Sequence, residues 1–245
     1  MTPDWQLPPG VDRGLWDYLH SAEMVAGYDD AMAVSALATV DVAFCEAHFA
    51  KPGRFVDLGC GTGRLAKHFA AKGYDCLGID LSDEMLVAAR RDPTTAAKFE
   101  IGNLTDLTAI ADGSFDYAAC LFSTLGMIRG EPNRRKALAE ARRILKPGGT
   151  FVVHVHNRYF VRELGLRGFR NADLTMPQAY GGAALTLTHF SRRSIGRWLR
   201  DAGFAVTAVQ PVATDGPLRR PWLLPGLRAY GYLVAATATP GRRAQ

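Results

Sequence analysis

Val56-Asp57-Leu58-Gly59-Cys60-Gly61-Thr62-Gly63 decides the fold. A short β-rich run, 54–58, enters a glycine cluster, and a helical pattern, 64–72, leaves it. Glycines at such a junction let the backbone turn sharply and approach a ligand closely, while a helix start offers free N–H groups. The spacing narrows the ligand. A dinucleotide fingerprint, G-x-G-x-x-G, would need its third glycine where Arg64 stands, and the chain reads G-x-G-x-G instead. The phosphate-cradling G-x-x-x-x-G-K-[ST] loop is absent as well.

Downstream, the apolar run 76–79 ends in Gly78-Ile79-Asp80, which sets a carboxylate 17 residues past Gly63 at the carboxyl end of a strand. From there it can accept both hydroxyls of an adenosine ribose; the alternative is an Asp that merely shapes a turn. Ser82 then reads as a helix N-cap. Residues 98–101 and the nearly continuous apolar run 116–122 read as strands, the latter as a buried parallel one. Pro132 suits the first turn of a helix that Lys146-Pro147-Gly148-Gly149 breaks before a strand at 150–155. Strand and helix alternating at this rhythm specify an α/β, doubly wound, mostly parallel sheet. The ending differs: 184–188, 191–202, 204–210 and 230–237 give β-α-β-β, with the last two strands pairing antiparallel across the loop 217–225. The first fifty residues are mostly helical, most clearly over 30–49. The expected organisation is a helical N-terminal cap, 1–50, and a main domain, 51–245, with an insert at 157–190.

Composition agrees. A 245-residue chain that is 48% hydrophobic and 22% charged has enough apolar material for one large α/β domain and excludes disordered and collagen-like classes. No apolar run approaches the roughly 18 residues of a membrane span, and the first ten residues lack a secretory pattern. Cys45, Cys60, Cys76 and Cys120 show no C-x-x-C spacing, which predicts neither metal nor disulfides and a reduced, cytoplasmic setting. Charge is uneven. Residues 157–200 hold eight Arg against Glu163 and Asp173, a net +6 that leaves −1 for the rest of a chain whose total is +5. One basic segment in a neutral chain permits a local anionic ligand, where a diffuse basic surface would indicate nucleic acid.

D-x-G-x-G-x-G followed by Asp80 resembles the class I S-adenosylmethionine-dependent methyltransferases of small-molecule type. Ile101-Gly102-Asn103-Leu104, Phe115-Asp116-Tyr117 and Leu145-Lys146-Pro147-Gly148-Gly149 extend the likeness over roughly residues 50–157. The resemblance implies a Rossmann-like methyltransferase fold, a seven-stranded sheet with an antiparallel last strand, and S-adenosyl-L-methionine as cofactor. By that resemblance Gly59, Gly61 and Gly63 pass under the methionine part of the cofactor, Asp57 helps position its ammonium, and Asp80 holds the ribose. Asn103 and the Leu104 backbone would face the adenine and Leu81 would pack on its ring, with Cys60, Leu121 and Phe122 completing the wall. Asn at 103 departs from the commoner Asp, although an amide can donate as well as accept.

The protein's part in methyl transfer is to aim a nucleophile, exclude water and, for a hydroxyl or protonated amine, remove a proton. His154-x-His156-Asn157 puts two imidazoles on one face of the 150–155 strand. His156, nearer the strand end, is the candidate base or substrate contact, and His154 the structural member. Their readings as a metal pair or as plain core residues stay open. Ser123 and the arginines Arg158, Arg162, Arg167 and Arg170 are substrate-binding candidates, the last four through forked bonds to an anion, with Tyr159, Phe160, Phe169 and Tyr180 as apolar wall. Tyr28, preferred over Trp16 and Tyr18, is the candidate lid and catalytic aromatic beside the sulfonium. Rival functions are RNA methylation, cofactor chemistry other than methyl transfer, and a nicotinamide oxidoreductase. The first is opposed by the residues Cys120-Leu121-Phe122-Ser123 where an Asn/Asp-Pro-Pro-Tyr/Phe tetrad would stand, and the last by Arg64. The expected partner is a small molecule, with no membrane and no nucleic acid.

Overall fold

The computed structural model describes residues 3–176, 184–219 and 223–240. Its strands are β1 (Arg54–Leu58), β2 (Asp75–Asp80), β3 (Lys98–Ile101), β4 (Phe115–Cys120), β5 (Leu145–His156), β6 (Asp173–Met176), β7 (Leu185–Thr188), β8 (Phe204–Ala213), β9 (Gly216–Pro217) and β10 (Gly231–Ala238). The helices are α1 (Arg13–Leu19), α2 (Ala22–Ala33), α3 (Ala36–His48), α4 (Arg64–Ala70), α5 (Asp83–Ala89), α6 (Thr124–Met127), α7 (Glu131–Ile144), α8 (Val161–Leu164), α9 (Arg167–Arg170), α10 (Arg192–Asp201) and α11 (Pro225–Arg228).

Eight strands form one sheet in the order β3-β2-β1-β4-β5-β10-β8-β9. β1 pairs parallel with β2 and β4, β4 with β5, and β2 with β3, while β10 inserts antiparallel between β5 and β8. The mostly parallel, doubly wound sheet with its antiparallel last long strand is the expected architecture; the short β9 makes eight strands where seven were expected. Period-two alternation gives each face its own core. On one face Phe55 and Val152 pack with Leu37, Phe44, Leu65 and Phe69 of α3 and α4. On the other, Val56, Phe151 and Val153 pack with Leu138 and Ile144 of α7 and Ile195 and Leu199 of α10. His154 and His156 share the parity of Val152, so they fall on the α3 face.

Three local expectations are corrected. The helix expected over 30–49 is two helices, bent by 68°, because the Ser35 hydroxyl accepts from the Ala38 N–H and starts α3 afresh. The run 184–188 leaves the main sheet and pairs with β6 as a two-stranded hairpin. Lys146-Pro147-Gly148-Gly149 does not separate α7 from a later strand: β5 begins at Leu145, and Gly148 at φ +82° absorbs the irregularity opposite Phe115–Tyr117. Among the described residues no single helix is long and apolar enough to cross a membrane.

Candidate active site

The strand order reverses at β1, which has β2 on one side and β4 on the other, and the carboxyl ends of these strands open into a crevice there. A cavity of about 510 Å³ occupies it. Its floor is the glycine loop, where Gly59, Gly61 and Gly63 have φ of +81°, +54° and +80°. The three glycines do different work. A Cβ at Gly59 would lie 2.5 Å from Thr124 Cγ2 and one at Gly63 2.4 Å from Phe99 Cε1, whereas one at Gly61 would stand 3.5 Å from the Tyr28 ring. Gly59 and Gly61 line the cavity and Gly63 does not; it lets the start of α4 pack on β3. The loop's N–H groups are engaged too. Those of Gly59 and Cys60 donate to Ile79 O at 2.8 and 3.0 Å, that of Gly63 to Cys60 O at 2.9 Å, and that of Gly61 to Asp80 Oδ2 at 2.8 Å. These four amides are therefore not free for a ligand, contrary to the expectation from the helix start, and the loop is no phosphate cradle.

Two carboxylates stand in the wall. Asp57, 4% exposed on β1, is pushed up to about 7 by burial, a shift that Arg64 moderates and Asp80 adds to. Asp80 at the end of β2 is likewise raised by burial, against the N–H groups of Ser82, Gly61 and Leu81. Its Oδ1 accepts from the Ser82 N–H at 2.9 Å and its Oδ2 from Gly61; with the Leu81 N–H these are three donors on two oxygens, which leaves the carboxylate some accepting capacity for a ligand. Arg64 is the cation beside them in the lining, and its own Nη1 donates to Ala38 O at 3.1 Å. Two buried carboxyl groups thus share one neighbouring cation, and burial opposes the ionisation of both.

α1 and α2 roof this space. Tyr28 lies against Gly61 and is pushed up to about 12, chiefly by burial, so it is a neutral phenol. Asp29 beside it accepts from the Thr62 hydroxyl at 2.5 Å, tying α2 to the glycine loop. Of the twelve residues of α2 Met24 is the buried one, with Val25 and Tyr28 partly buried in the same cluster, and the Thr62–Asp29 bond adds a polar tie to this packing. Tyr18 also lines the cavity, while Trp16 does not and stacks on His20 with ring centroids 4.0 Å apart.

Cys60, Leu81, Leu104, Leu121 and Phe122 line the cavity as expected. Asn103 lines it as well, but its side chain is occupied: Nδ2 donates to Pro9 O at 2.9 Å, and Oδ1 accepts from the N–H and hydroxyl of Thr105, both at 3.0 Å. Phe122 and Ser123 both have positive φ, +49° and +60°, a strained bend in non-glycine residues held by the Ser123 N–H donating to His154 O at 3.1 Å. Ser123 is fully buried and outside the cavity lining. It supports β5 by accepting from the His156 N–H at 3.4 Å.

His156 is in the lining, 7% exposed. Among the described residues neither of its ring nitrogens has a hydrogen-bond partner. Burial holds it well below the ordinary imidazole value, helped by His189 and His154, and it is neutral. His154 lies behind, fully buried, with both oxygens of the buried Asp41 of α3 at 3.1 and 3.2 Å from its Nδ1. Sequence reasoning had no signal for Asp41, a lone acid inside an apolar helix pattern.

The arginine segment does not reach the cavity. Arg158 donates from Nε to Gly168 O at 2.8 Å and lies over the Tyr159 ring, Arg162 and Arg170 are exposed, and Arg167 turns back to Leu164 O at 3.4 Å. None of the four lines the wall. Phe160 packs with Leu164 and Leu174, Phe169 is 48% exposed, and Tyr180 lies outside the described residues. In their place much of the cavity wall is formed by residues that carry no motif, including Leu15, Met24, Met127, Ile128, Leu187 and Tyr230, the last of them against His156. Among the described residues there is no group of three side chains able to hold a metal ion.

Residues 56–153 match a family model described as a methyltransferase domain. The ubiquinone biosynthesis O-methyltransferase of Methylococcus capsulatus is 30% identical over 177 residues, covering 69% of this chain and 70% of that one. The putative methyltransferase YqeM of Bacillus subtilis is 31% identical over 121 residues, and there the match spans about half of each chain, 49% of both. Among solved structures, the 1,6-didemethyltoxoflavin-N1-methyltransferase of Burkholderia thailandensis, with its substrate and S-adenosylhomocysteine bound, superposes with a TM-score of 0.64 at 19% identity. That superposition covers 96% of this chain and 93% of that one.

Proposed function

This chain belongs to the class I S-adenosylmethionine-dependent methyltransferases, and from that premise we propose that its acceptor is a small, uncharged, largely apolar molecule whose proton passes to His156. Bound S-adenosylmethionine supplies a methyl group already activated on a sulfonium. The residues in the crevice fit that cofactor. Asp57 and Asp80 are buried carboxylates short of counter-charge, which suits a ligand carrying an ammonium and a sulfonium. Asp57 would face the ammonium and Asp80, through its remaining lone pairs, the ribose hydroxyls. Gly59, Gly61 and Cys60 would pass beneath it, with Leu81, Leu104, Leu121 and Phe122 as apolar wall. Tyr28, a neutral aromatic over the loop, would cover it. Asn103 would shape the adenine end by bracing the chain, since most of its own hydrogen-bonding capacity is used.

One observation carries the acceptor reading: a buried imidazole in the cavity wall that no described residue hydrogen-bonds. A buried polar group is normally satisfied, and a neutral, unpartnered His156 is free to accept a proton from a substrate X–H. The apolar lining around it, together with arginines that point elsewhere, favours an uncharged acceptor over the anionic one that the basic segment permitted. The roof of α1 and α2 favours a small molecule over a polynucleotide. Names among the relatives, a ubiquinone-pathway enzyme and a toxoflavin-precursor enzyme, are consistent with that size class.

Methyl-labelled cofactor incubated with fractionated metabolites, followed by mass spectrometry, identifies the acceptor. With it in hand, His156→Gln should lower kcat by about 10²–10⁴ and leave the affinity for S-adenosylhomocysteine as it was. Wild-type turnover in that variant would remove His156 from the chemistry.

A further inference from the structure

Asn157 follows His156 at the end of β5 and is fully buried. Its side-chain amide makes three of the four hydrogen bonds open to it. Nδ2 donates to Gly226 O and Ala229 O, both at 2.8 Å, and Oδ1 accepts from the Tyr159 N–H at 3.1 Å. The Asn157 backbone N–H donates in addition to Tyr230 O at 2.8 Å. One residue therefore ties the segment around α11 to the end of β5 through three hydrogen bonds, two from its side chain and one from its backbone. The Tyr230 N–H donates to Val212 O at 2.8 Å and Arg228 donates to Leu223 O and Arg219 O, so the Asn157 side chain is what joins the turn itself to β5. α11 is a single turn, Pro225–Arg228, with no buried residue of its own, and it is entered through Leu224 at φ +44°.

What the clamp delivers is Tyr230. Its ring centroid lies 4.6 Å from that of His156, tilted by 50°, and Phe160 backs it edge-on at 5.7 Å. Tyr230 and His156 both line the cavity. The groups that face His156 are Tyr230, His189 at 5.6 Å and His154 at 6.1 Å between ring centroids, with Asp41 behind His154. Among the described residues no acid contacts it. Water reaching the ring is thus the main way its protonation could be eased, and Tyr230 covers that side.

We propose that Asn157 is a positioning residue of the acceptor chamber: by clamping residues 226–229 it seats Tyr230 on His156, shields that imidazole from water and makes Tyr230 the chamber's second wall. The proposal rests on the reading of His156 as the proton acceptor, yet it can be tested without an acceptor.

The readout is the titration of His156 by long-range ¹H–¹⁵N NMR of the imidazoles in the full chain saturated with S-adenosylhomocysteine, assigned against the His156→Gln spectrum. In the wild-type chain the His156 midpoint lies well below 6.5. In Asn157→Ala it should rise by about one unit as the turn loosens and water enters. Tyr230→Ala should give the same rise, and the double variant no more than either alone. Binding of S-adenosylhomocysteine, measured by calorimetry, should persist in all three. An unmoved midpoint in a folded, ligand-binding Asn157→Ala overturns the proposal. If Asn157→Ala does not fold, Asn157→Ser and Tyr230→Ala decide: raised midpoints in both support the clamp, and an unmoved one in either overturns it. Full turnover in His156→Gln would remove the base while leaving this titration result standing, so the two readings fail separately.

Discussion

With Asp57 facing the cofactor's ammonium, as proposed, binding should be a proton-linked event. Burial raises its carboxyl from 3.8 to about 7 in the ligand-free chain, and an ammonium beside it would favour the ionised form. Binding then requires the proton to leave. If the bound form stays ionised across the range, affinity scales with the ionised fraction, which is about 0.03 at pH 5.5 and about 0.5 at pH 7.0. The dissociation constant for S-adenosylhomocysteine should therefore be about fifteenfold weaker at pH 5.5 than at pH 7.0, or about 1.6 kcal/mol. Calorimetry in buffers of different ionisation enthalpy should register release of about 0.9 proton per ligand at pH 6.0. Stability has the companion sign. The folded chain holds this proton more tightly than the unfolded chain, so the group costs nothing below pH 3.8. Its cost grows as pH rises through the interval and is complete above about 7, on the order of 4 kcal/mol at most. Asp57→Asn should accordingly raise the melting temperature of the ligand-free protein at pH 7.5, weaken ligand binding and flatten its pH dependence. A wild-type affinity that does not change between pH 5.5 and 7.0, with no buffer-dependent heat, would refute the electrostatic reasoning.

Gly63→Ala should destabilise the fold by about 2–4 kcal/mol, through the left-handed backbone and the Phe99 contact, and leave ligand affinity of the folded protein intact. Phe99→Leu in the same chain should recover part of the melting temperature, and lost affinity at unchanged melting temperature would instead put Gly63 on the ligand. Thr62→Val removes the tie to Asp29 and should speed dissociation of S-adenosylhomocysteine by about five- to tenfold in stopped flow, the worth of one hydrogen bond. An unaltered rate would show that α2 is held shut by other contacts.

Much of the molecule was legible in one dimension because its signals are local. The short apolar runs, the glycines, the cap Ser82 and the helical pattern over 191–202 act through neighbours a few residues away, and they placed β1, β2, β4, α5 and α10. The signature around the glycine loop and Asp80 likewise identified the cofactor, since its residues sit at the ends of adjacent strands that the alternation itself orders. Local signals misled where a longer-range contact competed. The helical pattern over 30–49 ignores that Ser35 can restart a helix in a new direction, and the strand pattern at 184–188 could not say which sheet it would join.

Sequence alone determined that this is a doubly wound α/β methyltransferase and which two carboxylates flank the crevice, because strand order and loop spacing are written in contiguous residues. Only the tertiary structure decided what the acceptor meets. It turned the arginines of 157–170 away from the cavity, moved Ser123 behind it, and completed the cavity wall that His156 shares from α1, α2, α6, β7 and Tyr230. Those side chains are ordinary apolar and aromatic residues far apart in the chain. They acquire a role by being brought together, and hydrophobic burial, being non-directional, leaves no motif by which that meeting could be read beforehand.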